Sequence, residues 1–318
     1  MKKAVLYLII IPIIGFTQSY NGPESIEYNP SNGNYFISNS GNGQILELDN
    51  NNLNVFVDNL NVGPHGLELI EDYIDEKLVG QILFACSGGE LYGYDINGNE
   101  VLNHDLDGSF LNGITKKYDP FTGEFDLFIT DFSDKKLYRY NIQENTHYEI
   151  CSFSKNPNGV YYDSMNDRLI VVCWGWNAPI YEIDLISETY STLINTGLSN
   201  LDGIGMDQCG NFYVSAWSSN AIHKYSSDFS TEEIIITGLN NPADIYYNQY
   251  DNIIAIPNSG NNTVDFVFSS CDNNLVSETK KDPIVIQQFD LLSRQNTQTN
   301  FNIKLYNDGS VEKIWFLK

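Results

Sequence analysis

Six polar residues stand at near-regular intervals along the chain: Glu24, His65, Asn112, Asn158, Asp202 and Asp244, separated by 41, 47, 46, 44 and 42 residues. Each opens a short segment with Gly or Pro close by and a hydrophobic run after it, as in Gly22–Pro30, Gly63–Ile70, Phe110–Thr115, Asn156–Asp163, Asn200–Asp207 and Asn241–Asn248. Three carboxylates, two amides and one imidazole brought to one point are the hard oxygen donors that Ca²⁺ prefers. One histidine without partners makes no tight zinc site. Asn-Gly and Asp-Gly are also ordinary turn dipeptides whose side chains cap their own backbone. A repeat that needed only a turn could use Ser or Gly at every copy, and this one does not.

Those residues meet only if the intervening elements close into a ring. Short alternating strands bounded by Gly, Asn and Pro clusters fill each interval. Blade 1 shows the cadence: Ser25–Tyr28, a turn at Asn29–Gly33, Tyr35–Ser38, a turn at Gly41–Gly43, Gln44–Leu48, and Val55–Val57. No sustained helical period occurs between residues 20 and 270. A 41–47-residue period of this kind predicts an all-β, six-bladed β-propeller with four-stranded blades. The expected organisation is a signal peptide over 1–17, the propeller over 20–290 and a C-terminal extension over 291–318. Residues 261–270 would supply the third strand of blade 6 and Pro283–Phe289 its outer strand. The mature chain starts almost at the first inner strand, so no N-terminal outer strand is expected to close the ring. Residues 302–318 read as a hairpin around Asn307-Asp308-Gly309.

In such a fold the start of each inner strand and the link between second and third strands open on one face. The link residues Asn39, Ser87, Asp131, Trp174, Trp217 and Asn258 therefore join the first six. Trp174 and Trp217 form an apolar wall against a substrate ring or pack between blades. Asp131 contacts substrate hydroxyls or is solvated. His104, His147 and His223 fall outside the register and read as ordinary strand or turn residues.

The formal net charge of −24 argues against nucleic acid, which needs clustered Lys and Arg. It raises the local cation concentration at an acidic mouth, or simply keeps the surface soluble. Met1-Lys2-Lys3 followed by an apolar run to Phe16 reads as a secretory signal peptide with cleavage near Gln18, too short for a spanning anchor. The expected location is secreted, periplasmic or cell-surface, with no later transmembrane segment. Five cysteines leave at least one thiol unpaired. Cys86 and Cys173 lie in apolar strands, whereas Cys151, Cys209 and Cys271 lie nearer turns and are the candidates for a disulfide.

At Pro23-Glu24, Asn112-Gly113, Asn158-Gly159 and Asp202-Gly203 the chain resembles the SMP-30/gluconolactonase/luciferin-regenerating-enzyme family of six-bladed propellers. The likeness spans about residues 20–270, through motifs two residues long. It implies that Glu24, Asn158 and Asp202 hold a divalent ion, commonly Ca²⁺, and that Asn112 contacts substrate. It also implies hydrolysis of lactones, often of sugar acids, with Asp202 as general base. The family usually carries an Arg two residues before the blade-3 Asn, where this chain has Phe110. His65 and Asp244 in the ring also fit looser relatives of NHL and strictosidine-synthase type.

Three readings follow. The first is a secreted, metal-dependent lactonase, monomeric, with Asp202 catalytic, His65, Asn112, Asp131, Trp174 and Trp217 binding a lactone or sugar-acid derivative, and Glu24, Asn158 and Asp202 binding the metal. The second is a non-catalytic NHL-like propeller that holds a ligand or protein on the same face. A cell-surface structural protein is a third. No nucleophile elbow or phosphate loop is present.

Overall fold

The computed structural model describes residues 18–50, 52–74, 77–271, 285–289, 301–306 and 311–315, with the side chains of 72–79 and of the last three segments left aside. The expected signal peptide, the turn at 307–310 and most of the tail therefore lie outside the described residues. The chain divides into two compact units, Met1–Cys271 and Asp272–Lys318.

The first unit is a six-bladed β-propeller. Five blades are four-stranded antiparallel meanders, over residues 23–57, 67–105, 111–152, 156–195 and 201–237. The sixth, over 246–268, has three strands among the described residues. Its expected outer strand is not there: Val285–Phe289 pairs with Phe301–Tyr306. That segment in turn pairs with Val311–Trp315, so the C-terminal hairpin forms within a separate three-stranded sheet. A strand takes the partner edge that its own register satisfies, and here that edge lies in the tail.

Alternating apolar residues on both faces of each blade pack against the neighbouring blades, which divides the core into six clusters, one per interface. Between blades 4 and 5, for example, Ile170, Val172 and Ile180 meet Leu201, Ile204 and Val214. The seam between blades 6 and 1 is the thinnest, with only Ile26, Ile37 and Ala255 fully buried. Polar bonds supplement it. Asp244 N–H donates to the Glu24 carbonyl (2.8 Å), Gly22 N–H to Asn262 Oδ1 (2.7 Å) and Asn248 Nδ2 to Tyr35 Oη (3.0 Å). Cys209 and Cys271 form a disulfide across blades 5 and 6, and Cys86, Cys151 and Cys173 are free.

Candidate functional site

The repeated dipeptides are not turns. In blades 1, 3, 4 and 5 the copy sits inside the inner strand at a β-bulge, where the pairing register shifts between Pro23 and Ile26, Ile129 and Asp131, Pro157 and Val160, and Leu201 and Ile204; in blades 2 and 6 it precedes the strand. A bulge breaks the ladder and aims a side chain out of the sheet. In blades 1, 3 and 5 a hydroxyl on the second strand takes up the freed N–H: Ser38 Oγ accepts from Ser25 (2.8 Å), Thr130 Oγ1 from Gly113 (2.9 Å) and Ser215 Oγ from Gly203 (2.7 Å).

The glycine of each dipeptide is required by close approach. A Cβ on Gly66 would lie 2.1 Å from the Asn112 carbonyl oxygen, on Gly113 2.4 Å from that of Asn158, and on Gly159 2.4 Å from that of Asp202. On Gly203 it would lie 2.5 Å from Asp244 Cα. Adjacent inner strands therefore touch backbone to backbone around the axis.

These contacts correct the register in blade 6. Thr130 Oγ1 donates to the Asn158 carbonyl (2.6 Å), and Ser215 Oγ donates in the same way to the Ala243 carbonyl (2.7 Å). Gly66 N–H donates to the Asn112 carbonyl as Asp244 N–H donates to that of Glu24. Ala243 thus occupies the polar position, and Asp244 stands one residue deeper, where blades 2 to 5 have glycine. Blade 1 has Ser25 at that position, and Ser25 Oγ donates to Asp244 Oδ2 (2.8 Å). The seam is the one place where the ring admits side chains at this level, and it fills them with a carboxylate and a hydroxyl.

The upper ring then holds Glu24, His65, Asn112, Asn158 and Asp202. Asn158 is 2% exposed and Asp202 1%. Asn158 Nδ2 donates to the Leu201 carbonyl (3.2 Å), and its Oδ1 is buried without a hydrogen-bond partner. Asp202 Oδ1 is likewise buried without a well-formed hydrogen bond, as is the Trp217 Nε1 donor that acts on Asp202. A buried polar oxygen left unpaired is costly unless a water or an ion completes it. The Asn112 carbonyl is tied to blade 2, while its amide side chain makes no hydrogen bond with a described residue.

Burial is the main reason that these carboxylates are pushed above their usual range. Asp202 is pushed well above the usual range by burial, then by Glu24 and Asp244, against the opposing pull of the Trp217 indole and the Asn158 amide. Glu24 rises to about 7 through burial and Asp244, offset by the Ser259 hydroxyl. Asp244 rises to about 7 through burial, offset by Ser25 and raised further by Glu68. No lysine or arginine figures among the groups that act on these three carboxylates. Opposite them, burial drives His65 down to about 4, so its imidazole is neutral near pH 7. Its Nδ1 lies 2.9 Å from the Gly63 carbonyl, which only accepts, so Nδ1 carries the proton and Nε2 is the free base.

This donor set fits a hard divalent cation: two unpartnered buried oxygens beside two further carboxylates. The three carboxylates do not by themselves close a ligand shell. Among the described residues the acidic, Cys and His atoms grouped within 4.8 Å are those of Asp207, Cys209 and Cys271, two of which are the disulfide. A cation here would depend on the Asn158 amide as well as on carboxylates.

Over this ring stands an aromatic arc. His65 meets Phe110 edge-on at 4.6 Å, Phe110 meets Phe132 at 5.7 Å, Phe132 meets Trp174 at 6.1 Å, and Trp174 meets Trp217 at 4.9 Å. All five are half-buried. Trp174 and Trp217 thus pack on each other and still offer an apolar wall. Asp131 does not take part: it is fully buried and accepts from the N–H groups of Ser109 (2.6 Å), Phe110 (3.3 Å) and Asp134 (2.9 Å). Its carboxylate anchors the loop that carries Phe110. The three remaining histidines sit in the blades: His104 and His147 bond to each other (2.8 Å), and His223 to Ser219 and Glu232.

No protein-family model and no curated protein matches this chain. Solved structures match its fold. A protein of unknown function from Bacteroides thetaiotaomicron is 13% identical with a TM-score of 0.60, over 78% of this chain and 69% of that one. A virginiamycin B lyase from Staphylococcus aureus, solved with quinupristin, is 16% identical with a TM-score of 0.57, over 95% and 97%. An auxiliary nutrient binding protein from Bacteroides thetaiotaomicron is 10% identical with a TM-score of 0.58, over 78% and 70%. At these identities the likeness shows the propeller fold alone.

Proposed function

We propose that the protein is an exported, divalent-cation-dependent hydrolase of cyclic esters, working at the upper ring. The observation that carries this reading is the pair of buried, unpartnered oxygens, Asn158 Oδ1 and Asp202 Oδ1, beside Glu24 and Asp244 and beneath an aromatic wall. Glu24, Asn158 and Asp202 would hold the ion, with Ca²⁺ the cation that their oxygen donors favour. A cation so held supplies polarisation of an ester carbonyl and a counter-charge for its developing oxyanion.

The chain's own residues supply the rest. Asp202 takes the proton of the attacking water and returns it to the ring alkoxide as the ester C–O bond breaks. Asn112, with its amide unspent, hydrogen-bonds substrate oxygen. His65 Nε2 accepts from a substrate hydroxyl. Trp174 and Trp217, with Phe110 and Phe132, shield the apolar side of the substrate from water. The disulfide supports an oxidising destination, since such bonds persist outside the cytosol. Among the described residues no helix is long and apolar enough to cross a membrane.

A second reading is a binding propeller that holds a small molecule without turnover. Asp202 favours it in one respect, because at 1% exposed it is poorly placed to meet free water. A panel of γ- and δ-lactones, assayed with Ca²⁺, Mg²⁺ or Mn²⁺ on wild type and Asp202→Asn, separates the two. Turnover that needs metal and Asp202 supports the hydrolase. Saturable binding of the same compounds without turnover supports the binder.

A further inference from the structure

The far end of the channel, where the inner strands leave the ring, opens into a cavity of about 650 Å³ that the chemistry of the upper ring does not use. Its wall holds Glu27, Glu68, Lys116, Tyr161 and Tyr246, with Tyr28 toward its mouth. A narrower chamber of about 90 Å³ continues inward past Glu27 and Tyr161 to Asp244. Glu27, Glu68, Thr115 and Tyr161 each stand three residues beyond a ring residue, as Tyr246 does beyond Ala243, so the repeat that builds the upper ring also places a side chain here from every blade but the fifth, which has Gly205.

Polar bonds leave one carboxylate underused. Lys116 Nζ donates to Glu68 Oε1 (2.7 Å) and the Leu69 carbonyl (2.6 Å), and Lys116 N–H donates to Glu68 Oε2 (3.1 Å). Glu68 and Lys116 are thereby bonded to each other, and the Lys116 ammonium acts on Glu27 through charge without a hydrogen bond to it. Glu27, only 5% exposed, receives a single long bond, from Leu69 N–H at 3.4 Å. The hydroxyls of Tyr161 and Tyr246 make no hydrogen bond with a described residue, and Tyr28 stacks obliquely on Tyr246 at 6.4 Å. An underbonded buried carboxylate walled by phenol rings is the arrangement that recognises an ammonium or guanidinium, through charge and the ring faces together. Burial and Glu68 raise Glu27 well above the usual carboxylate range, against the pull of Lys116, so a bound cation would favour its ionised form, in which the carboxylates outnumber Lys116. The net charge of −24 draws cations toward the protein.

We propose that this cavity is a second binding site, for a small organic cation that carries an ammonium or guanidinium on an apolar body, with Glu27 as its counter-charge. A neutral polyol can donate hydrogen bonds to Glu27 but brings no charge to oppose its own. The test is isothermal titration of the protein with phenethylamine and with 2-phenylethanol, which has the same body and a hydroxyl in place of the ammonium. The amine is expected to bind at least tenfold tighter than the alcohol. Glu27→Gln, which keeps the shape, should weaken the amine at least tenfold and leave the alcohol unchanged. Tyr161→Phe should have a smaller effect than Tyr246→Ala, because it keeps the ring. Circular dichroism confirms that each variant is folded. Equal affinity for amine and alcohol, tighter binding of the alcohol, a neutral Glu27→Gln, or no binding of the amine at millimolar concentration overturns the proposal.

Discussion

Replacing Asp244 by Asn tests the electrostatics of the ring through stability alone. With the site kept metal-free by EDTA, Asp244 has to ionise while buried near Glu24, and its pKa stands at about 7 against an ordinary 3.8. Each unit of separation between folded and unfolded pKa is about 1.4 kcal/mol, so the penalty has an upper bound of about 4 kcal/mol. Water at the open edge of the channel reduces it, and about 1–3 kcal/mol is expected. The sign follows from proton binding. Between roughly pH 4 and pH 7 the native state keeps a proton that the unfolded chain has released, so stability is full below pH 4 and falls as pH rises to 7. Asn cannot ionise and can still accept from Ser25. Urea unfolding of wild type and Asp244→Asn, from pH 4 to pH 8 in EDTA, should give equal stabilities at pH 4. By pH 8 the variant should be the more stable by about 1–3 kcal/mol. Parallel pH curves, or a variant that loses ground as pH rises, would refute the reasoning.

Three further outcomes are expected. Gly159→Ala forces a Cβ to 2.4 Å from the Asp202 carbonyl oxygen and should destabilise by roughly 1–3 kcal/mol, whereas Gly80→Ala, with nothing within 4 Å, should be near neutral; chemical denaturation compares them. Cys209→Ser removes the tie to Cys271 and should lower stability by about 2–4 kcal/mol, while thiol titration of the unfolded, unreduced wild type should find three free thiols. Trp174→Ala removes half of the edge-on pair with Trp217 and should weaken binding of any ligand of the upper face about tenfold or more while leaving cation affinity unchanged; calorimetry reads both.

The ring was legible in the sequence because each blade repeats one short segment at a near-constant period. The blade-6 register was less so. Asp244 resembles the polar residue of the other copies by type, and only the contacts of Ala243 and Gly203 show it in the glycine position. A signal was present, since Asn-Pro-Ala-Asp-Ile-Tyr-Tyr aligns with Asn-Pro-Asn-Gly-Val-Tyr-Tyr if Asp244 takes the place of Gly159. Phe110 and Phe132 were missed for a different reason. Phe110 lies where the resembled family has Arg, and only the ring-to-ring distances link it to the tryptophans. Asp131 reads from sequence as contacting substrate hydroxyls or solvent, yet a carboxylate before a tight turn often serves backbone N–H groups instead, as it does here. The tail hairpin could be read from its own alternation, but the edge that Val285–Phe289 would choose could not.

The most direct test of the central claim is metal analysis of the purified protein together with a thermal-shift titration of Ca²⁺ into EDTA-treated wild type and Asp202→Asn. The account predicts bound divalent metal in wild type, and a saturable rise in melting temperature on Ca²⁺ addition that Asp202→Asn abolishes. Absence of metal with identical responses of the two proteins would contradict it.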